Sequence, residues 1–537
     1  MENINFDKIV LDTILDNKAI LYALLPLFGS YFLQDVIFTR SIGKFTSNIP
    51  KFVDSLSFST IGMVLLPYLL SQVLYYIGQA INNKYMPHVE LELIRELTNK
   101  TIESAKITKN PIDTNEFIFN LKKVMHLKKV YELATAYIIP TAIVGICILY
   151  YFLSSNFVMG VIVFIVIMIF IFIIIHVEGN CTSSSHENQD TINELYDNIH
   201  DIISNVDTVI TSDTIEKELD NIKNMNKELY ENYVKSEDEG NNGAFLLRLT
   251  SLIVMIIIDG VAVYLYSIGS LDSSDLISIG LLAVMFMEYS NSTIFHFREA
   301  LPYVGDYSLI REYFSQFKFS NEKGEDFVFG NGNMQFKNIG VSYDDKIIFD
   351  NFNLTINGGQ KYGIRGPVGK GKTTLLKMLV GLLNYNGTIT VDNQDIKKCS
   401  YESVMKHIVY IPQHPKLFNN TIYYNLNYGS DHTKEEIYNI IEKWGLSSFF
   451  NNLPDKIDTH VGKEGVKISG GQKQFISFIR SLIQNKNIIL LDEPTSSLDP
   501  KTKQLFINLM KNIKNKTIII TTHDSIITDI FDKVINL

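Results

Sequence analysis

Residues 157–175 constrain the fold most, because they read FVMGVIVFIVIMIFIFIII without a single charged side chain. A helix of about 20 apolar residues is long enough to cross the roughly 30 Å hydrocarbon layer of a bilayer. The composition agrees, since apolar residues make up 46% of the chain and charged residues only 20%. We therefore predict a helix that spans a membrane, with the lipid bilayer as a partner.

Five other segments are candidates for the same role. Residues 55–83 and 133–156 also lack charge, and the sequence SSN at 154–156 joins the latter directly to the 157–175 run. Three weaker candidates each contain one acidic residue, so each could instead be a buried amphipathic helix. Their length favours spanning. The six predicted spans cover residues 19–38, 57–80, 133–154, 157–176, 249–268 and 276–297.

The acidic residues of the three weaker spans are Asp35, Asp259 and Glu288. Acidic side chains inside a membrane commonly face a helix-bundle interior or a path for ions or substrates. If these three line such a path, they favour a cationic or amphipathic substrate. The alternative is that they lie at helix ends or outside the hydrocarbon layer. The sequence leaves both possibilities open and does not identify the substrate.

The loops between the spans predict the orientation. Residues 84–129 form a long polar stretch with many Lys and Arg residues, and residues 177–247 form another. The short loops at 154–156 and 268–275 contain no Lys or Arg. Because positively charged loops stay in the cytoplasm, the two long stretches and both termini are predicted to be cytoplasmic. The basic residues between the first two spans would lie outside, which weakens the rule there.

The overall charge excludes one class of function. The chain of 537 residues carries 48 Lys and Arg against 58 Asp and Glu, a formal net charge of −10. Proteins that bind nucleic acids neutralise phosphates with a cationic surface. We therefore expect no nucleic-acid partner. The three widely separated cysteines also provide neither a disulfide framework nor a zinc cluster.

The pattern of the sequence changes near residue 331. Short β-like runs such as HIVYIPQ, IILLDEP and TIIITTH replace the long apolar segments, and helical segments alternate with them. This alternation predicts a parallel sheet covered by helices, which binds ligands at the carboxyl ends of its strands. We predict a helical transmembrane domain at 1–330 and an α/β domain at 331–537.

A phosphate-binding loop occupies residues 366–373, which read GPVGKGKT and match the pattern G-x-x-x-x-G-K-[ST]. Its glycines let the backbone point N–H groups at phosphate oxygens, and the next helix adds the positive end of its dipole. Its lysine would reach the β- and γ-phosphates, and the hydroxyl of Thr373 would bind Mg²⁺. The predicted ATP-binding residues here are Gly366, Gly369, Gly371, Lys372, Thr373 and Thr374.

Two acids follow a predicted buried strand at 488–491 in the sequence IILLDEP. Asp492 can hold Mg²⁺ through water, and Glu493 is placed to polarise an attacking water. A solvated pair of acids after a strand is the alternative. With the phosphate-binding loop upstream, the pair favours a nucleotide triphosphatase.

A second anion-binding helix start lies at 468–472, which read ISGGQ. Small residues and a hydroxyl at a helix N-terminus expose backbone amides to a bound anion. One phosphate-binding loop does not need two such helix starts. The economical explanation is that Ser469, Gly470, Gly471 and Gln472 contact the γ-phosphate of a nucleotide held by another copy.

With these motifs in order, residues 331–537 resemble the cassette of the ATP-binding-cassette (ABC) transporters. The resemblance implies that Tyr343 stacks on adenine, that Gln413 contacts Mg²⁺, and that His523 contacts the γ-phosphate. It also implies that Asp499, in the sequence SLD, communicates across a dimer. Two positions depart from the family pattern, because Ile468 replaces a usual Leu and Phe475 replaces a common Arg. Every residue expected to bind or hydrolyse ATP is present.

The order of spans and cassette resembles a half-transporter of the exporter type. The implied fold class is a multidomain membrane protein with an all-α six-helix transmembrane domain and an α/β P-loop ATPase domain of ABC type. In this family, short helices at the tips of the cytoplasmic extensions, here near 111–120 and 211–215, couple the two domains. One cassette cannot complete the composite site, so a dimer is expected, with a second copy or a similar half-transporter.

The resemblance implies a function that uses ATP and Mg²⁺. The expected function is an ATP-hydrolysing transporter that exports or flips an unidentified substrate across a membrane that the sequence does not specify. A nucleotide-gated channel or a regulatory membrane ATPase is the alternative. The presence of Glu493 and His523 favours steady hydrolysis over gating.

Overall fold

The computed structural model describes residues 2–47, 58–109, 112–319, 324–343, 346–523 and 528–537. The chain divides into two compact units. The first comprises Met1–Glu103 and Ile112–Phe319, and the second comprises Ser104–Pro111 and Ser320–Leu537. The second unit thus starts before residue 331 and includes a short segment from the first long polar stretch.

The first unit is helical, and six helical segments among its described residues are long and apolar enough to cross a membrane, as predicted. The predicted start of the second span at residue 57 lies outside the described residues. The α-helices are α1 (Phe6–Asp16), α2 (Lys18–Tyr31), α3 (Thr39–Ser47), α4 (Phe58–Thr108), α5 (Thr114–Lys123), α6 (Leu127–Leu133), α7 (Ile139–Ser155), α8 (Phe157–Ser204), α9 (Val206–Thr211), α10 (Ile215–Ser267) and α11 (Ser273–Ser315). π-helical turns at Phe32–Phe38 and Ala134–Ile138 and a 3₁₀ turn at Val124–His126 connect some of them.

The predicted hairpin between the third and fourth spans turns at one residue. Asn156 has an extended backbone, and its side chain accepts a hydrogen bond from the Met159 N–H at 3.3 Å. This N-cap satisfies one of the donors left free at a helix start. Helix α8 then runs for 48 residues, well beyond the roughly 20 needed to cross a bilayer. Its polar C-terminal half is therefore a helical extension of the span.

The two largest of four hydrophobic cores among the described residues of the first unit involve different helices. The larger core packs α7, α8, α10 and α11 together around side chains such as Phe152, Phe170 and Ile258. The smaller core buries Phe6 of α1 against Phe314 of α11, with ring centroids 6.0 Å apart. Next to it, strand β1 (Glu2–Asn3) pairs antiparallel with strand β2 (Lys318–Phe319).

The second unit contains two sheets. The strands are β3 (Met334–Tyr343), β4 (Lys346–Ile356), β5 (Lys361–Arg365), β6 (Asn386–Val391), β7 (Gln394–Asp395), β8 (Ile408–Ile411), β9 (Ile488–Asp492), β10 (Thr517–Thr521) and β11 (Lys533–Asn536). The predicted parallel sheet has the order β11-β5-β10-β9-β8, and a second, antiparallel sheet has the order β4-β3-β6-β7. Strands β9 and β10 are fully buried, which explains their uninterrupted apolar sequences.

Helices cover the parallel sheet of the second unit. They are α12 (Lys372–Leu379), α13 (Tyr401–Met405), α14 (Ile422–Asn427), α15 (Lys434–Lys443), α16 (Ser447–Asn451), α17 (Gly470–Ile483) and α18 (Pro500–Asn512). Short 3₁₀ turns lie at Lys456–Asp458, Lys463–Gly465 and Thr528–Ile530. Strand β5 leads into α12 and strand β9 ends at Asp492, so both predicted nucleotide motifs follow the carboxyl ends of parallel strands.

The segment 104–111 makes polar contacts inside the second unit. Lys106 Nζ lies 2.7 Å from Glu402 Oε1, and this hydrogen bond lowers the pKa of the Glu402 carboxyl. Lys109 Nζ donates to the Leu383 carbonyl at 3.4 Å. Both lysines precede residues 111–120, where the sequence suggested a coupling segment.

The Asp392 carboxylate binds the backbone of the loop just before β3. Asp392 accepts backbone hydrogen bonds from Gly330, Gly332 and Asn333 at 2.8–3.0 Å. Burial opposes ionisation of this carboxyl, but the backbone donors outweigh it and lower its pKa. A carboxylate that accepts several backbone N–H groups is stabilised in its charged form.

Replacing Asp392 with Asn should lower the free energy of unfolding at pH 7 by about 1.5–3 kcal/mol, the range for hydrogen bonds to a charged group. Because the folded-state pKa is depressed, this stabilisation is present above the unfolded-state pKa and is lost as the pH falls through the folded-state pKa. Thermal unfolding of the detergent-purified protein between pH 7 and pH 3 measures it. Exposed Asp431→Asn is the control, and an Asp392 effect that grows on acidification would contradict the assignment.

Candidate functional site

The phosphate-binding loop lies between β5 and α12 and requires glycine at defined positions. Gly366, Gly369 and Gly371 have φ values of 154°, 81° and 90°, a backbone region that favours glycine. A Cβ atom on Gly371 would also approach Phe349 Cζ to 2.6 Å. The loop thus curls over the start of α12, where the backbone amides of a helix N-terminus favour an anion.

Lys372, the first residue of α12, is buried, and its side chain folds back over the loop. Its Nζ donates to the carbonyls of Gly366 at 2.9 Å and Pro367 at 3.1 Å, and lies 2.9 Å from His523 Nε2. Thr373 and Thr374 follow it in the first turn of α12. The loop, the lysine and His523 therefore converge on one place at the edge of the parallel sheet.

The acid pair follows β9 as predicted. Asp492 is buried, with Thr521 Oγ1 donating to Oδ1 at 2.5 Å and the Tyr410 hydroxyl donating to Oδ2 at 3.3 Å. Strands β8 and β10, on either side of β9, supply these two donors. Both donors hold the Asp492 side chain in place at the end of the strand.

Glu493 contacts two other predicted site residues, Gln413 and His523. Gln413 donates its side-chain amide to Glu493 Oε2 at 2.8 Å, and His523 Nε2 lies 3.4 Å from Glu493 Oε1. The Glu493 backbone has φ 45°, and its N–H lies 3.1 Å from the Thr521 carbonyl. An acidic residue in this left-handed region is strained and must be held by its surroundings.

The His523 ring has a defined role in this arrangement. Lys372 is a donor only, so its 2.9 Å contact uses His523 Nε2 as the acceptor. The same nitrogen lies 3.4 Å from Glu493 Oε1. Lys372, Glu493, Gln413 and His523 are brought together as the sequence predicted.

The helix start at ISGGQ has its own internal structure. Ser469 is the N-cap of α17 and accepts a hydrogen bond from the Gln472 N–H at 3.1 Å, while Gln472 Oε1 accepts from the Ser469 N–H at 2.8 Å. Gly470 is exposed. A Cβ atom on Gly471 would approach the Ser497 carbonyl oxygen to 2.4 Å, so this position requires glycine. The exposed helix start fits the predicted contact with another nucleotide.

Of two further predicted residues, the structure describes the side chain of Asp499 but not that of Tyr343. The side chain of Tyr343, at the end of β3, lies outside the described part, so its adenine contact stays a prediction. Asp499 caps α18 by accepting from the N–H groups of Lys501 and Thr502, both at 3.0 Å, and from the Thr502 hydroxyl at 2.6 Å. The Thr502 contacts lower the pKa of the Asp499 carboxyl. The predicted contact of Asp499 across a dimer stays a prediction.

The side-chain oxygen atoms of Gln413, Thr373 and Asp492 would bind Mg²⁺ together with oxygen atoms of the nucleotide phosphates. Gln413 points its amide nitrogen at Glu493, which leaves its carbonyl oxygen for a cation, and Thr373 and Asp492 add a hydroxyl and a carboxylate. Among the described residues, no group of three or more His, Cys, Asp and Glu could hold a metal. Mg²⁺ often binds through a few protein oxygens together with substrate phosphates. When bound there, it would neutralise charge on those phosphates.

The unusual Phe475 has a packing explanation. It is fully buried and its ring centroid lies 4.8 Å from that of Phe449. An aromatic ring replaces the common Arg because this face of α17 packs into the core of the second unit. Arg480, five residues later on the same helix, instead donates to the Asn425 carbonyl at 2.7 Å.

Sequence reasoning missed several residues that support the site. Gln474 is buried and donates to the Glu493 carbonyl at 2.7 Å, while Tyr410 and Thr521 hold Asp492. Gln474 stands two residues after ISGGQ, so its polar side chain on the buried face of α17 was the available signal. Tyr410 and Thr521 read as ordinary strand residues.

The acidic residues of the spans have three different environments. Asp35 is fully buried in the π-helical turn, where the Tyr289 hydroxyl donates to Oδ1 at 3.0 Å. Among the described atoms, its Oδ2 has no hydrogen-bond partner. Gln34 Nε2 lies 3.0 Å from the Tyr289 hydroxyl. Asp259 is partly buried and Glu288 is exposed.

Replacing Tyr289 with Phe should lower the free energy of unfolding by about 1–3 kcal/mol, because it leaves the buried Asp35 carboxyl without its donor. Adding Asp35→Asn should recover part of this loss, because the unpaired acid is removed. A double-mutant cycle from thermal unfolding of the purified protein measures this coupling. Tyr264→Phe, at an exposed tyrosine of α10, is the control; strictly additive effects would contradict the pairing.

Comparison with known proteins places both parts of the chain. Residues 20–289 match the family described as ABC transporter transmembrane region, and residues 349–496 match the family described as ABC transporter. The mitochondrial iron-sulfur clusters transporter ATM1 of Candida albicans is 40% identical over 185 residues, 34% of this chain and 25% of that protein. A putative export ATP-binding/permease protein of Rickettsia typhi is 38% identical over 193 residues, 35% of this chain and 34% of that protein.

The chain therefore matches only about a quarter to a third of the length of these curated relatives. A bacterial Atm1-family ABC exporter solved with ATP bound shares the fold, with a TM-score of 0.80 and 22% sequence identity. That match covers 97% of this chain and 93% of the solved chain. Because the transmembrane family match alone covers half of the chain, this protein belongs to the ABC transporters, with a helical transmembrane domain followed by an ATP-binding domain.

Proposed function

We propose that this chain is one half of an ATP-hydrolysing exporter or flippase that works as a dimer with two composite ATP sites. The observation that carries the proposal is the contact of Glu493 with Gln413 and His523, next to Lys372. These side chains are the ones that an ATPase needs to hold phosphates and to activate water. All of them lie at the carboxyl edge of the parallel sheet.

Each composite site would use residues of two chains. The phosphate-binding loop of one chain would hold the triphosphate, and the exposed start of α17 of the partner would cover the γ-phosphate. Ser469 would supply its hydroxyl and the following glycines their backbone amides, in the way that helix N-termini bind anions. A second copy, or a similar half-transporter, is therefore required for activity.

The transport cycle follows from this arrangement. ATP binding would favour the closed dimer of ATP-binding domains, and Glu493 would then polarise the water that attacks the γ-phosphate. Loss of the γ-phosphate would favour reopening, which resets the transporter. Nucleotide thereby shifts a two-state equilibrium through its differential affinity for the closed state.

The membrane part of the cycle rests on the charge pattern of the loops. We place both termini and the ATP-binding domain in the cytoplasm, because the long Lys-rich stretches follow the positive-inside rule.

The substrate is best sought experimentally. The name of the Candida relative refers to iron-sulfur clusters, but the match covers only 34% of this chain and 25% of that protein. We therefore do not carry its substrate over to this chain. The buried Asp35 favours testing amphipathic cations, and the flippase possibility calls for lipids.

The decisive experiment reconstitutes the full chain in lipid discs and measures ATP hydrolysis by the wild type and by Glu493→Gln. Tetraphenylphosphonium and phosphatidylcholine are the first compounds, and labelled forms of both are followed across vesicle membranes. Hydrolysis by the wild type alone, changed by a compound that also crosses the bilayer, supports a transporter. ATP-dependent ion conductance without hydrolysis would instead support a nucleotide-gated channel.

A further inference from the structure

Gln474 lies on the helix that carries the ISGGQ motif, yet its side chain points away from that motif. It is 1% exposed on α17, four residues after the exposed Gly470. A buried side-chain amide must find hydrogen-bond partners, or its desolvation destabilises the fold. The hydrogen-bond partners of the Gln474 amide therefore indicate its structural role.

The amide of Gln474 reaches two segments of the ATP site, residues 493–497 and Gln413. Its Nε2 lies 2.7 Å from the Glu493 carbonyl oxygen, 3.3 Å from the Gln413 carbonyl oxygen and 3.3 Å from Ser496 Oγ. Its Oε1 accepts from the Ser497 N–H at 3.2 Å. An amide nitrogen has only two hydrogens, so the short contact with Glu493 is the dominant one.

The main chain of Glu493 is thereby held from two sides. Its N–H lies 3.1 Å from the Thr521 carbonyl and 3.0 Å from Thr521 Oγ1, both at the end of β10. Its carbonyl accepts from Gln474 on α17. A left-handed backbone at a non-glycine residue persists only where the surroundings fix it. The position of Glu493 therefore depends on both β10 and α17.

We propose that Gln474 is a positioning residue that makes the placement of Glu493 depend on α17, and so on whether the ISGGQ start of that helix is engaged. This inference rests on the proposed function, in which that helix start covers the nucleotide of the partner subunit. Hydrolysis in the site of one chain then responds to the nucleotide in the other composite site. Gln474 transmits this response through the Glu493 and Gln413 carbonyls and the Ser497 N–H.

Two substitutions separate this role from simple packing. Gln474→Met keeps the length of the side chain and removes its hydrogen bonds, whereas Gln474→Glu keeps an acceptor for Ser497 and removes the donor to Glu493. Gln484→Met is the matched control, because Gln484 ends the same helix and donates to the Tyr428 carbonyl at 2.8 Å, away from the ATP site. Thermal unfolding checks that each variant folds.

The full chain in lipid discs is assayed for ATP hydrolysis as a function of ATP concentration. We expect both Gln474 variants to lower kcat by about 10²-fold, the cost of a small misplacement of a catalytic group, with little change in KM. We also expect the Hill coefficient of hydrolysis to fall toward one. In a Glu493→Gln background, Gln474→Met should still allow ATP-dependent cross-linking of the two ATP-binding domains.

Three results would overturn the inference. An unchanged kcat would show that Glu493 is positioned without Gln474. Loss of ATP binding or of folding in both Gln474 variants would show a structural role only. A fall in kcat with an unchanged Hill coefficient would show that Gln474 acts within one site. If the wild type binds ATP but never hydrolyses it, the proposed function fails as well, which the other outcomes do not imply.

Discussion

Glu493→Gln is expected to lower the ATPase rate by about 10²–10⁴-fold, the contribution of a general base, while ATP binding is retained. The substituted amide has the shape of the carboxyl group, and its oxygen can still accept from Gln413, which donates to Glu493 at 2.8 Å. It cannot take up a proton from water, however. The substitution therefore removes the base and leaves the phosphate-binding loop intact.

Single-turnover and steady-state hydrolysis by the full chain in lipid discs, together with binding of a fluorescent ATP analogue, measure this effect. Glu435→Gln is the control, because Glu435 is an exposed residue of α15. A variant that hydrolyses ATP at the wild-type rate would show that another group activates the water. His523, 3.4 Å from Glu493, would then be the first residue to test.

Lys372→Ala is expected to weaken ATP binding by roughly 10–100-fold, because a hydrogen bond to a charged group contributes about 1.5–3 kcal/mol. The Lys372 ammonium group contacts the Gly366 and Pro367 carbonyls and His523, so it lies at the centre of the loop where the β- and γ-phosphates are predicted. Hydrolysis at low ATP concentration should fall in parallel. Removing the lysine also removes the neighbour that keeps His523 Nε2 as an acceptor.

Equilibrium binding of ATP to the detergent-purified protein, with and without Mg²⁺, checks this prediction. Lys377→Ala is the matched control, because Lys377 lies in the last turn of the same helix. If both substitutions change affinity equally, the effect comes from the overall charge. If neither does, the phosphate-binding role of the loop is wrong.

The sequence predicted those parts of the protein in which one short segment contains the whole signal. Six spans were predicted from length and lack of charge, and six segments of the structure meet these criteria. The glycines of the phosphate-binding loop were predicted from spacing, and Gly369 and Gly371 have the positive φ values that the loop requires. Residues at the ends of parallel strands also met as expected, because parallel strands share one carboxyl edge.

Residues that depend on packing between distant segments were not predicted. Asp392 binds the segment around Gly332, 60 residues earlier, and Tyr289 binds Asp35 across 254 residues. Neither pair has a spacing pattern, because the contact forms only when two elements pack. The placement of 104–111 in the second unit is of the same kind.

The sequence by itself determined the class of this protein, since hydrophobic length decides what crosses a membrane and loop chemistry decides what holds phosphate. Only the tertiary structure decided which side chains support the reaction. The carbonyl of Glu493 meets Gln474 because β9 and α17 pack together, and Lys372 meets His523 because β5 and β10 are neighbours in the sheet. Local patterns record the geometry of one segment, whereas contacts between segments follow from how the whole domain buries its core.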